Sequence, residues 1–177
     1  MTIPAVKLIK FALPLAFLAP NLASAVVVGY SLEYHSGKEY VYYYSVKNDG
    51  VSFASTIQGF QILFPDASNL SIVSPSAVKS QWDEVTLGAT LSDPAAYDAL
   101  AKSGGIPVGS RQSGFAVQFN RTGSGSPGSQ TFLIYDPNTY DTVYTGTTVP
   151  VPEPEEWLMM MIGFGMVGWR VRASRKG

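Results

Sequence analysis

His35 is the only histidine in this 177-residue chain, and cysteine is absent. These two facts decide most of the chemistry open to the sequence. A Ser-His-Asp hydrolase would have to use His35 as its base. No Gly-x-Ser-x-Gly elbow presents a nucleophile to it, and His35 sits beside a predicted hairpin turn, where a surface imidazole is expected. Zinc needs more His or Cys ligands than the chain supplies. Without thiols there are neither disulfides nor thiolate sites. Asp83 and Glu84 are adjacent, so on a strand they point to opposite faces and form no two-carboxylate glycosidase pair. Oxygen ligands for calcium occur in Asn48-Asp49, Asp66-x-x-Asn69 and Asp136-x-Asn138-x-x-Asp141. None has calcium-loop spacing, and Asn and Asp are also ordinary turn residues. The expectation is a protein that is not an enzyme and carries no metal or cofactor.

Two motif-like runs near the C-terminus lead nowhere. Gly163-Phe164-Gly165-Met166-Val167-Gly168 spells G-x-G-x-x-G, but the strand, the helix opening at the motif and the later acid that a dinucleotide fingerprint needs do not accompany it. The run Met159–Met161 does not make a soft metal site, because consecutive residues do not share a helix face. The tyrosines are more suggestive, since exposed rings stack on sugars. Tyr40, Tyr42 and Tyr44 share one strand face with Val46, and that face reads as core. Tyr43, on the other face, is the candidate exposed ring.

The elements that would position these residues are strands. Charged residues are sparse, while hydroxyl residues, Gly and Tyr are plentiful. Alternation with period two marks Tyr40–Lys47, Gly59–Phe64, Phe115–Asn120 and the Phe132/Ile134 segment. A further strand is expected over Val27–Tyr34, and a last one near Asp141–Thr145. Turns are expected at Ser36-Gly37-Lys38, Asn48-Asp49-Gly50 and Asp136-Pro137-Asn138, with a Gly/Ser/Pro loop from Gly123 to Ser129. One helix is expected, with Asp93 as cap, Pro94 at the first position, Ala95–Lys102 as body and Gly104-Gly105 as stop. Seven to nine strands in one domain predict an all-β fold, an antiparallel β-sandwich of immunoglobulin-like or jelly-roll type. Residues 26–150 hold six basic and ten acidic side chains, a net charge of −4, which argues against nucleic acid as a partner.

Both ends read as targeting segments. Lys7 and Lys10, the apolar run Phe11–Leu22 and the small-x-small site Ala23-Ser24-Ala25 have the order of a secretory signal peptide over residues 1–25, cut after Ala25 by signal peptidase. The expected ectodomain then covers residues 26–148, and residues 149–177 form a separate tail. In that tail Pro150, Pro152 and Pro154 impose an extended spacer. Glu155 and Glu156 suit a helix start. An apolar segment follows from Trp157 through Met160, Gly163, Gly165 and Gly168 to Trp169, with Arg170, Arg172, Arg175 and Lys176 as a basic stop. Its thirteen residues rise only about 20 Å against a hydrocarbon core of about 30 Å, which suits transient membrane residence. The positive end stays in the cytoplasm and the body lies outside the inner membrane.

This tail resembles the PEP-CTERM sorting signal. The residues that carry the resemblance are Pro152-Glu153-Pro154, Trp157, the Met- and Gly-rich run Met159–Gly165, and the cluster Arg170/Arg172/Arg175/Lys176. The basic cluster departs from the pattern in being interrupted by Val171, Ala173 and Ser174. The resemblance implies that the membrane protease exosortase recognises the tail and cuts near Pro-Glu-Pro. It also implies transfer from an inner-membrane intermediate to the cell surface or extracellular matrix of an exopolysaccharide-secreting Gram-negative bacterium. More loosely, Tyr42-x-Tyr44-x-Val46-x-Asn48, Gly59-Phe60-x-Ile62-x-Phe64, Trp82 and Ile106-Pro107-x-Gly109 with Gly114-Phe115-x-Val117 resemble ectodomains found ahead of such tails. The function so implied is a non-catalytic structural or adhesive surface protein associated with exopolysaccharide, with a carbohydrate-binding module as the alternative.

Overall fold

The computed structural model describes residues 26–51 and 54–151. The expected signal peptide with Ala23 and Ala25, the Pro152-Glu153-Pro154 motif, the apolar segment and the basic stop lie outside the described residues.

Two five-stranded sheets pack as a sandwich. In the first, β1 (Val27–Ser36) and β2 (Glu39–Lys47) form a hairpin. Gly37 closes its turn at φ +60°, a conformation that costs glycine nothing. On the far side of β2 lies β7 (Arg111–Arg121), then β4 (Ala67–Ile72) as an edge. The short β10 (Val149–Pro150) pairs parallel to β1 at the other edge. The second sheet runs β5 (Trp82–Leu87), β6 (Ala95–Ala101), β3 (Gly59–Phe64), β8 (Thr131–Tyr135) and β9 (Thr142–Thr147).

The period-two faces meet in the core as the alternation predicts. Tyr42, Tyr44 and Val46 from β2 and Phe115, Val117 and Phe119 from β7 face Phe60, Ile62 and Phe64 from β3 and Phe132 and Ile134 from β8. Phe115 makes edge-to-face contacts with Phe60 at 5.0 Å and Trp82 at 5.2 Å between ring centroids. Such pairs add about 0.5–1.5 kcal/mol each beyond their buried area.

The helix expected over Ala95–Lys102 is not there: Ala95–Ala101 is β6, paired to β3 on one side and β5 on the other. Local propensity loses to the sheet. An isolated eight-residue helix is marginal, whereas a strand here satisfies its backbone on both flanks and buries Ala95, Tyr97 and Ala99 inward and Ala96 outward. The Asp93 signal belongs to a turn instead, in which Thr90 N donates to Asp93 O (2.9 Å) and Thr90 Oγ1 to the Asp93 carboxylate (3.2 Å). Gly105 marks a close approach of backbones rather than a helix stop. A Cβ there would lie 2.3 Å from the Ile57 carbonyl oxygen, which accepts from Ile106 N at 2.8 Å. The one described helix, α1 (Ser76–Gln81), is short and was not expected; it follows Pro75 and buries Val78.

The ends of the sandwich are distinct. At one end lie the Gly37-Lys38 turn, the Pro65-Asp66 link between β3 and β4, and the loop from Thr122 to Gln130. Because β10 runs parallel to β1, Val151 emerges toward this same end, its N–H donating to Tyr30 O at 2.8 Å. Val26, the Asn48 turn and the Asp136–Asp141 turn are at the opposite end.

Candidate functional site

The end toward which β10 points carries a cleft. Its floor is the aromatic edge of the core: Phe64 and Phe119, in edge-to-face contact at 5.4 Å, with Tyr40 stacked on Phe119 at 5.9 Å. Tyr34 continues the row, 5.4 Å from Tyr40 across the hairpin and 58% exposed. The walls are polar. Arg121, at the end of β7, lies 3.8 Å from the Asp66 carboxylate and donates through Nη2 and Nε to Ser124 O at 2.8 and 3.3 Å. A cavity of about 160 Å³ opens between Phe64, Asp66, Arg121 and Gln130. A second hollow, of about 550 Å³, adjoins it along Lys38, Tyr40, Arg121 and Ser124.

Buried tyrosines hold this cleft in shape. Tyr42 donates from its hydroxyl to Gly128 O at 2.6 Å, and Tyr44 to Gln130 Oε1 at 3.2 Å. Burial pushes both phenols up, so they remain donors at any physiological pH. Thr148 completes the clasp: its hydroxyl accepts from Gln130 N (2.8 Å) and donates to Gln130 Oε1 (3.1 Å). The Gly/Ser/Pro loop is thus tied at its start by Arg121 and at its end by two core phenols.

The tyrosines predicted as core are core, with Tyr40 only half-buried at the cleft. Tyr43 is exposed on the outer face as predicted, and its hydroxyl donates to Glu33 Oε2 at 2.9 Å. His35 is also exposed there, 3.9 Å from the Glu33 carboxylate. Tyr34 was missed, because in sequence it merely extends the inward face of Val28, Tyr30 and Leu32. Its exposure follows from overrunning the end of the sandwich.

The acid-bearing turns act as turns. Asp136 Oδ1 accepts from the backbone and side-chain nitrogens of Asn138, which lowers its carboxyl below the usual range. Asn48 is fully buried and turned inward. Asp83 and Glu84 point to opposite faces, and Glu84 reaches into the sandwich, where one carboxylate oxygen accepts from Ser74 Oγ and Tyr97 Oη, both at 2.5 Å. Its other oxygen is buried without a partner. Burial raises the Tyr97 phenol, and it raises Asp98 too, although the Tyr135 hydroxyl donates to Asp98 at 2.9 Å. Among the described residues no three His, Cys, Asp or Glu side chains converge as metal ligands, and no helix is long and apolar enough to cross a membrane.

No family model matches the chain, and no curated protein matches it significantly.

Proposed function

We infer that this chain is an exported surface protein whose C-terminal tail directs its sorting. Signal peptidase removes residues 1–25. The tail beyond residue 149 holds the body at the inner membrane until exosortase acts near Pro152-Glu153-Pro154, and the sandwich is displayed at the cell surface or in the extracellular matrix of a Gram-negative bacterium. Its role there is non-catalytic, structural or adhesive, in association with exopolysaccharide. The observation that carries this is the order of the tail itself: rigid Pro-Glu-Pro spacer, apolar Trp157–Trp169 and basic Arg170–Lys176. In support, β1–β10 end at Pro150, so a cut near Pro152–Pro154 removes no strand of the sandwich.

The finer class of the sandwich is immunoglobulin-like. Seven strands, β1-β2-β7-β4 over β3-β8-β9, have the ABED over CFG order of that fold, with the β5-β6 hairpin added beside β3 and β10 beside β1.

Intact mass of the protein recovered from its host, with and without exosortase, tests the sorting reading. The expected species lacks residues 1–25 and ends near Pro152–Pro154 only when exosortase is present. A chain retained through Gly177 in both strains would make the tail a plain anchor and end the sorting claim. A second reading, a carbohydrate-binding module, is favoured by the Tyr34–Tyr40 row opening onto a polar cleft.

A further inference from the structure

We propose that the cleft at the tail-side end of the sandwich binds an anionic, uronic-acid-containing glycan. The proposal deepens the carbohydrate-binding reading and is independent of whether the tail is cut.

The charge distribution selects the anion. Residues 26–150 are acidic overall, with six basic side chains against ten acidic ones. Two of those six, Lys38 and Arg121, line the paired hollows, and only one acid, Asp66, lines them with it. Glu33 and Glu39 of the same hairpin lie at alternate positions to Tyr34 and Tyr40, on the outer face, where Glu33 accepts from Tyr43 and Glu39 from Gln118. With two cations against the one carboxylate of Asp66, the cleft is a net cationic spot on an acidic body, which draws a sugar carboxylate toward it.

Geometry selects the sugar. An exposed tyrosine ring offers an apolar face to the C–H face of a pyranose; Tyr34 is such a ring, and half-buried Tyr40, 5.4 Å away and inclined at 57°, extends it into a broken platform suited to a twisting chain rather than a flat one. Ser124 O occupies two of the five N–H donors of Arg121, and the ion pair with Asp66 is loose at 3.8 Å, so the guanidinium retains donors for a sugar carboxylate. Asp66 supplies an acceptor for ring hydroxyls. The smaller hollow, about 160 Å³, holds a single sugar ring, and the adjoining 550 Å³ lodges its neighbours. The wall is also preorganised: Tyr42, Tyr44 and Thr148 fix Gly128 and Gln130 before any ligand arrives, which lowers the ordering cost of binding.

The test is isothermal titration of the full exported chain, purified in detergent, with alginate oligosaccharides as the anionic probe and cello-oligosaccharides as the neutral one. Binding to alginate alone is expected, weakening with added salt. Arg121→Gln is expected to weaken it about tenfold, in line with loss of a charge-assisted hydrogen bond. Arg121 also holds the loop, so Lys38→Gln, at an exposed turn with no structural bond through its side chain, is the second variant and is expected to weaken binding about threefold to tenfold. Tyr34→Ala, which removes the exposed ring beside the hollows, is expected to weaken binding. Equal binding of both probes, unaffected by Arg121→Gln and Lys38→Gln, would overturn the anionic preference while leaving a carbohydrate module standing. Binding of neither probe would overturn both.

Discussion

Asn48 has no exposure to solvent, yet every polar group it owns is in use. Its side-chain nitrogen donates to Ser55 O at 2.8 Å and Ile106 O at 3.1 Å, its side-chain oxygen accepts from Gly50 N, and its backbone bonds Ser110 O and Gly109 N. One residue thereby ties two loops at the end remote from the cleft. Asn48→Ala leaves Ser55 O and Gly50 N without their partner, while Ile106 O keeps Ile57 N, so a loss of about 1–3 kcal/mol is expected in urea denaturation, with glycan binding at the opposite end unchanged. The sequence marks Asn48 only as the first residue of an Asn-Asp-Gly turn, because nothing in a turn motif says whether its side chain faces water or the core. The same limit applies to Glu84, whose inward position depends on Ser74 arriving from the link after β4 and Tyr97 from β6. The alternation that placed Tyr42, Tyr44 and Val46 inside was legible because side-chain direction along a strand is a local property.

At the scale of elements, β6 shows where local reading ends. Asp-Pro followed by Ala-Ala-Tyr-Asp-Ala-Leu-Ala is good helix sequence, and only the two neighbouring strands make it a strand. A substitution separates the two forces. Ala99→Leu would be nearly neutral on a helix surface, since both residues are strong helix formers. In β6 Ala99 is fully buried and pairs across with Phe60 and Glu84. Added methylenes there have no room, and about 1–3 kcal/mol of destabilisation is expected, read as a lowered urea midpoint. An unchanged midpoint would argue that β6 does not occupy the sandwich as described. The β1-β2 hairpin and the strands β3, β7 and β8 were legible, because turn residues and alternation agree with the sheet at each of them. The β5-β6 pair was not, because β5 half-buries Glu84 and Thr86 while leaving Val85 and Leu87 exposed, and β6 is buried on both faces from Ala95 to Tyr97, so neither keeps a clean apolar period.

For the molecule as a whole, polarity matters most. The first described residue, Val26, lies at one end of the sandwich, and the last, Val151, is bonded to Tyr30 partway along β1 with the chain heading toward the other, cleft-bearing end. If the tail holds the protein at the membrane, the cleft end faces the lipid and the Asn48 end faces away. The chain has no cysteine, so single reporters can be introduced cleanly. In membranes from cells lacking exosortase, a fluorophore on Lys38→Cys is expected to be quenched by headgroup-attached quenchers several-fold more than one on Val108→Cys, near the far end. Equal quenching would refute this orientation. The sandwich architecture could be read from composition and periodicity, whereas the ten described strands exceed the seven to nine expected. The cleft could not, because its residues, Lys38, Asp66, Arg121 and Gln130, are far apart in sequence and become neighbours only when two sheets close.

The parallel run of β10 beside β1 also decides how the protein bears a load. Tension drawn through the chain beyond Val151 acts along the strand axis, so the bonds of β10 to β1 slide against one another together instead of peeling open singly. Behind them stands Thr148, fastened to Gln130 from both sides. A glycan bound in the cleft as proposed would pull on the loop that ends at Gln130. Force passing between such a glycan and the tail would run through Gln130 and Thr148.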